Sequence, residues 1–433
     1  MIQEPPRETP VVHECDVCVI GGSCTGVFAA VAAARLGARV ALVELNGFFG
    51  GVATASLVNI WHSLHDRSGK QQIIAGLTAE VIERLRLRDA VTGAHVLNTE
   101  VLKLELDQVV VEAGIRPFLH TMFVAPAVKD GRMTAAIIED KSGRRAIRAK
   151  QFIDASGDAD VVARMGLEVY RREYVQPPTM CCILRGLKAV AKSHPGFNIH
   201  KVIFDEQYEQ ALRKGFAWSS QVPADWGRPG EAAAPIADDH RMLAGTRIFG
   251  IDCSDADQLT QAELEGRRQV NAICELLREN FLGDRGVPLV ELPTRIGVRE
   301  TRHVRCQHQL TVDELLTGKR FPDAIANGTY HIDVHNAKGA GVKFRELNDN
   351  APFYQIPFAS LVPRGAKNVL IAGRSIDADE QAFGAVRVMV NCNQMGQAAG
   401  VAAWLALDSG SQVDLLDVDK LRAILKNQGA NVI

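Results

Sequence analysis

Between residues 15 and 44 the pattern of apolar and polar positions changes period twice. An apolar run closes at Ile20, small apolar residues then recur at helical spacing over about 25–36, and a second apolar run covers 39–44. The pattern predicts strand, helix, strand, with Gly37 where a left-handed helix cap is wanted. Residues 124–154 alternate in short segments joined by KDGR and KSGRR, which predicts a β-meander. Residues 258–280 carry the mixed charge of an exposed amphipathic helix. Near the end, 368–372 reads as a buried strand followed by Gly373, and Gly396, Ala398, Ala399 and Gly400 as the small-residue start of an apolar helix. No internal repeat is found, and no apolar run reaches the roughly 20 residues of a membrane span. The fold class this implies is α/β.

The first turn carries chemistry. Gly21-Gly22-Ser23-Cys24-Thr25-Gly26 is close to the G-x-G-x-x-G pattern between strand and helix, with Ser23 in place of the middle glycine. Gly21 permits the tight turn and Gly26 a close helix–strand approach. Free amides at the helix start then face a pyrophosphate whose charge suits the helix dipole. Glu44 ends the second strand 18 residues beyond Gly26, near the spacing at which an acid accepts from ribose hydroxyls. Together these predict a dinucleotide site. A glycine-rich loop, residues 46–54, follows instead of another regular strand–helix unit.

Composition narrows the partners. With 49 Lys and Arg against 51 Asp and Glu, the net charge of −2 leaves no basic footprint for nucleic acid or an anionic membrane. A small-molecule substrate is expected. The N-terminal segment lacks a basic start and apolar core, so a cytoplasmic location is expected. The nine cysteines, odd in number and scattered, suit free thiols. Cys15 and Cys18 have C-x-x-C spacing, but three apart on a strand they point to opposite faces, and no second pair completes a quartet; no metal site is expected.

In the loop at 46–54, a GGxxT segment follows the ribose-type acid: Gly50, Gly51 and Thr54. Further matching stretches are FIDASGDADVVARMG at 152–166, with Gly157 and Asp158, PTRIGVRETR at 293–302 and RFPDAIANGTYHIDVH at 320–335. IPFASLVPRG, NVLIAGRS, VRVM and MGQAAG follow within 356–400. In this ordered set the chain resembles the bacterial FAD-dependent oxidoreductases whose flavin domain is of the glutathione-reductase and succinate-dehydrogenase type. The resemblance implies non-covalent FAD in a Rossmann-like FAD-binding domain. That domain would be discontinuous, residues 1–170 and 355–433, around an inserted α+β substrate domain at 171–354. It implies cofactor contacts at Gly21, Gly22, Ser23, Thr25, Gly26, Glu44, Gly50, Gly51, Thr54, Val124, Gly157, Asp158, Gly373, Arg374, Gly396 and Ala398. No second G-x-G-x-x-G follows a strand, so electrons are expected to pass to or from a substrate, or an external donor or acceptor, directly at the flavin.

Residues 330–335 alternate, so that His331, Asp333 and His335 share one face of an extended chain, and Arg295 and Arg299 do likewise. Alone, these read as the wet side of ordinary strands. The resemblance places Arg299, Arg302, Asp333 and His335 on matched positions. It implies that His335, oriented by Asp333, handles a proton, and that Arg299 or Arg302 clamps an anion or stabilises reduced flavin; Arg302 has the alternative of pairing with a nearby acid. His62 and His65 are secondary candidates. Relatives commonly carry serine and histidine where this chain has Asp377 and Glu380. Two acids beside the flavin would disfavour an anionic substrate or bind a cationic amine, which adds Glu380 to the catalytic set. The expected activity is a dehydrogenase, oxidase or reductase on a small organic substrate. A flavin monooxygenase and a nonredox or RNA-modifying FAD scaffold are the alternatives.

Overall fold

The computed structural model describes residues 1–3, 5–93, 95–223, 240–283 and 289–433. Strand Val17–Ile20 is flanked by Gln151–Asp154 and Val40–Val43, with Val369–Ile371 and Arg116–Phe118 outside them, all parallel. Val17–Ile20, Val40–Val43 and Gln151–Asp154 are buried at every position, which is why the first two read as continuous apolar runs and not as alternation, while the third buries Gln151 and Asp154 at its ends.

The helix after the first strand, Cys24–Ala34, is buried from Cys24 to Ala33. Against it lies a second long helix, Met389–Ser409. Their backbones approach so closely that a Cβ added at Gly396 would stand 2.1 Å from the Thr25 carbonyl oxygen, and one at Gly400 2.1 Å from that of Ala29. The later helix therefore does not begin at Gly396. It begins at Met389, two turns earlier, and its small residues serve the crossing.

The meander forms as antiparallel strands Met122–Lys129, Arg132–Asp140 and Gly143–Arg148, extended by Val11–Glu14 in parallel. A second, smaller core contains residues between Met180 and Val298. It joins helix Ala256–Leu277 to an antiparallel sheet of Trp218–Gln221, Arg241–Ala244, Cys182–Leu184 and Leu289–Glu291. Val304, Leu310, Leu315 and Phe353, from the stretch expected in the inserted unit, pack instead into the larger core. Their strands and turns pair with elements of that core: His303–Val304 with Val169–Tyr170 and Ala324–Gly328 with Tyr354–Pro357.

Because the Gly400 contact is with backbone that cannot move aside, Gly400→Ala should overpack the crossing and cost about 2 kcal/mol or more. Thermal or urea unfolding of purified protein checks this. Wild-type stability in the variant would mean that the helices are not in this contact.

Candidate active site

The site is assembled where the parallel strands end. After Ile20 the chain turns at Gly21, and Ser23 caps the first helix, its Oγ accepting from the Gly26 amide at 3.3 Å. This explains the serine: it satisfies a helix-start amide that a glycine would leave free. Gly26 is indispensable to the turn, since a Cβ there would stand 1.8 Å from the Gly21 oxygen.

Glu44, at the end of the next strand, is buried and accepts from the amides of Gly22 and Asn46, each at 2.7 Å, and from Asn46 Nδ2 at 2.6 Å. Burial raises its pKa against the pull of these donors. Gly51 takes a left-handed φ of 56° and lies against the helix start, where a Cβ would be 2.6 Å from that of Ser23. Thr54 pins this loop by donating to the Phe49 carbonyl at 2.8 Å.

On the other flank, wholly buried Asp154 accepts from the amides of Ser156, Val161 and Val162 and so folds the 155–160 loop against Gly21. Asp158 on that loop accepts from Arg374 Nη2 at 2.6 Å and Thr301 Oγ1 at 2.7 Å, with Arg295 3.8 Å away. Burial would raise its pKa, but the two guanidiniums and these hydrogen bonds hold it below the usual range.

A cavity of about 710 Å³ runs past these residues and on to the inserted unit, within the size range of small-molecule and cofactor pockets. Gly21, Ser23, Thr25, Glu44, Gly50, Gly51, Gly157, Asp158, Gly373 and Arg374 line it, and so do Arg299, Asp333 and His335. Gly22, Gly26 and Thr54 support the lining from behind. Val124 is half-buried on the meander, Gly396 and Ala398 lie within the long helix, and none of these three lines the cavity.

At the far end, strand Ile332–His335 pairs with Val342–Arg345 and turns Asp333 and His335 into the cavity, while Ile332 and Val334 enter the larger core. Asp333 Oδ2 accepts from Tyr330 Oη at 2.9 Å and Arg387 Nη2 at 3.2 Å. Arg247 Nη2 lies 3.3 Å from His335 Nδ1. A guanidinium only donates, so Nδ1 accepts and the ring proton sits on Nε2, 3.4 Å from Asp333 Oδ1. Burial, then the charges of Arg299 and Arg247, push the imidazole down to about 2 despite Asp333. Burial works against ionisation of Asp333, yet His335, Arg387 and Tyr330 hold it far below the usual carboxylate range.

Arg247, Arg387, Tyr330 and Asn393 were not among the residues singled out. A lone arginine inside an apolar stretch, as in GTRIFG or GAVRVMV, was the available signal. His62 lines the cavity against the Tyr330 ring at 4.1 Å, and burial and His331 lower it to about 4; His65 does not line it.

The expectation of acids at the site is corrected. Asp377 is fully buried elsewhere, bonded to Tyr170 Oη at 3.0 Å, the Cys306 amide at 2.9 Å and Gln309 at 3.0 Å. Glu380 is exposed in the first turn of helix Glu380–Val386. Arg302 likewise stays outside the cavity, paired with Asp160 at 2.9 Å. Cys24, Cys181 and Cys392 line the cavity, but burial pushes their thiols up to about 12, 11 and 12, so they stay protonated. Among the described residues no group of three or more His, Cys, Asp or Glu is placed to hold a metal ion.

The chain matches the family described as FAD dependent oxidoreductase over residues 16–425, and it belongs to that family. It is an FAD-dependent oxidoreductase. Among solved structures it is similar to a geranylgeranyl bacteriochlorophyll reductase-like protein from Thermoplasma acidophilum, at 13% identity and a TM-score of 0.49, over 96% of this chain and 84% of that one. It is also similar to CabE, an aromatic hydroxylase from angucycline biosynthesis, at 14%, 0.43, 96% and 68%. PqsL of P. aeruginosa stands at 15%, 0.41, 96% and 92%. No curated protein matches. Among the described residues no helix is long and apolar enough to cross a membrane.

The residues present fit FAD. The helix-start amides and glycine cradle suit a pyrophosphate, Glu44 suits a ribose, and Asn393, wholly buried in the lining, has neither amide atom hydrogen-bonded. An amide in that state awaits a polar edge brought by a ligand.

The neutral His335 sets a pH dependence of stability. Its folded pKa lies below the ordinary 6.5, so as pH falls below that value the unfolded chain takes up a proton that the folded protein refuses, and stability drops. Asp333, depressed below the carboxylate range, adds stability above about pH 4 that is lost only in stronger acid. Between pH 6 and pH 4.5 the imidazole therefore acts alone of the two. His335→Gln should flatten the fall of stability there by about 1.4 kcal/mol per pH unit, measured by urea unfolding. Equal slopes in the two proteins would mean that His335 ionises normally in the folded state.

Proposed function

We propose that the protein exchanges a hydride between FAD and a small organic substrate bound beside Asp333, His335 and Arg299. The observation that carries this reading is the continuity of one cavity from the Glu44 and Ser23 turn to that cluster. When bound, FAD supplies the two-electron chemistry; this chain's residues bind, orient and screen.

The amides of Ser23, Cys24 and Thr25 and the side chain of Arg374 would face the pyrophosphate, Glu44 would accept from the ribose hydroxyls, and Asn393 would meet the polar edge of the ring system. His335 was expected to handle a proton. Its low pKa instead favours a neutral imidazole whose tautomer Arg247 fixes through Nδ1, and whose Nε2–H, 3.4 Å from an Asp333 Oδ1 that accepts no hydrogen bond, is left for a substrate. In this role it orients a substrate oxygen and does not take up a free proton. Arg299 and Arg387, held on Pro177 O and on Asp333, offer further donors at the same end. Burial of the cluster excludes water and strengthens each of these interactions.

Anaerobic mixing with candidate metabolites, followed by flavin absorbance, tests the reading. A true substrate should bleach the flavin. His335→Ala should then slow bleaching by roughly 10²- to 10³-fold, the usual loss for one oriented donor, with FAD content retained. The wild-type rate should show no step near pH 6.5. Rapid, saturable bleaching by NADPH alone would favour the monooxygenase, and a flavin that no metabolite reduces would leave a binding scaffold.

A further inference from the structure

The inner end of the cavity holds more positive charge than the protein balances. Arg299 and Arg387 line that end, buried Arg247 stands behind His335, and the three share a single carboxylate, Asp333, each feeling that carboxylate or the other guanidiniums. Neighbouring titratable groups supply no second negative charge. His335 and His62 stand neutral, and the Tyr330 phenol and Cys181 thiol are pushed up and stay protonated. Glu346 lines the cavity only at an exposed position, 3.9 Å from His331.

Two unpaired positive charges out of water are costly unless an anion joins them. The flavin's phosphates do not meet this need, because Arg295 and Arg374 already stand by the 155–158 loop at the Gly21 turn. The donors are also only partly used. Arg299 Nη1 is spent on Pro177 O and Thr179 Oγ1, and Arg387 binds Asp333 through Nη2 while its Nε is buried without a partner. A planar guanidinium with free N–H groups matches a carboxylate in shape as well as charge. Around this point the lining is aromatic: Phe216, Trp218, Tyr330 and Phe344.

We infer that the substrate is a carboxylic acid with a planar, apolar body, its carboxylate seated between Arg299 and Arg387 and its body against these rings. This rests on the reading that the substrate occupies this end of the cavity. It reverses the preference for a cationic amine that Asp377 and Glu380 suggested, since neither acid lies in the cavity.

The test uses the oxidised, FAD-loaded protein and needs no turnover. Benzoate and the isosteric neutral benzamide are titrated while the flavin spectrum and the heat of binding are recorded. Benzoate should bind saturably and at least tenfold tighter than benzamide. Arg299→Gln and Arg387→Gln, with FAD still bound, should each weaken benzoate tenfold or more, and Arg387→Lys should restore part of the loss. Equal binding of the two probes by wild-type protein overturns the inference even if every variant fails to fold, as does wild-type benzoate affinity in the FAD-loaded arginine variants. The outcomes separate it from the hydride reading. Benzoate binding in a protein whose flavin no metabolite reduces upholds the anion site and removes the redox role. A neutral or cationic metabolite that bleaches the flavin, with no benzoate binding, does the reverse.

Discussion

The constraint on which the rest of the structure depends is the backbone contact between helices Cys24–Ala34 and Met389–Ser409. At Gly396 and Gly400 there is no room for a single carbon beyond the main chain. That contact fixes how the two helices lie against each other, and the starts of both face the same cavity: Ser23 and Cys24 on one side, Val388 and Met389 on the other. Two sets of helix-start amides, with their partial positive charge, are thereby aimed at one ligand. A larger residue at the crossing would part the helices and the cradle together.

Charge then divides the cavity into two ends. Beside the Gly21 turn, Asp158 shares its charge with Arg374 and Arg295; at the inserted unit, Asp333 faces Arg247, Arg299 and Arg387. The second group explains why His335, drawn as a proton carrier by its neighbour Asp333, stays neutral. Burial and two guanidiniums outweigh one carboxylate. The consequence is a site built to attract and orient through donors, with acceptors in the minority.

Much of this was legible in the sequence, for definite reasons. The strand–turn–helix–strand at 15–44 follows from local periodicity and from Gly26, whose lack of a side chain is required by the Gly21 carbonyl five residues earlier. The Asp333 and His335 face followed from alternation along one strand. What the sequence hid depends on tertiary packing. Arg247 and Arg387 each lie in apolar stretches whose neighbours in space are remote in the chain. Asp377 was drawn toward the flavin by proximity to a matched motif, but a hydrogen-bond network with Tyr170, Cys306 and Gln309 takes it elsewhere. Gly396 was read as a helix start because small residues mark both starts and crossings. Residues 304–353 looked like part of the insertion, whereas their apolar side chains complete the larger core.

The Glu44 turn and the Asp333 cluster line one cavity, and a flavin bound along it as proposed would feel charge at the cluster. Spectroelectrochemical titration of the bound FAD measures this directly. Replacing Asp333 with Asn removes the negative charge and should raise the midpoint potential, by on the order of 30 mV for a tenfold change in the two-electron equilibrium. An unchanged potential in a variant that keeps its FAD would place the cluster and the flavin apart, and would contradict the account.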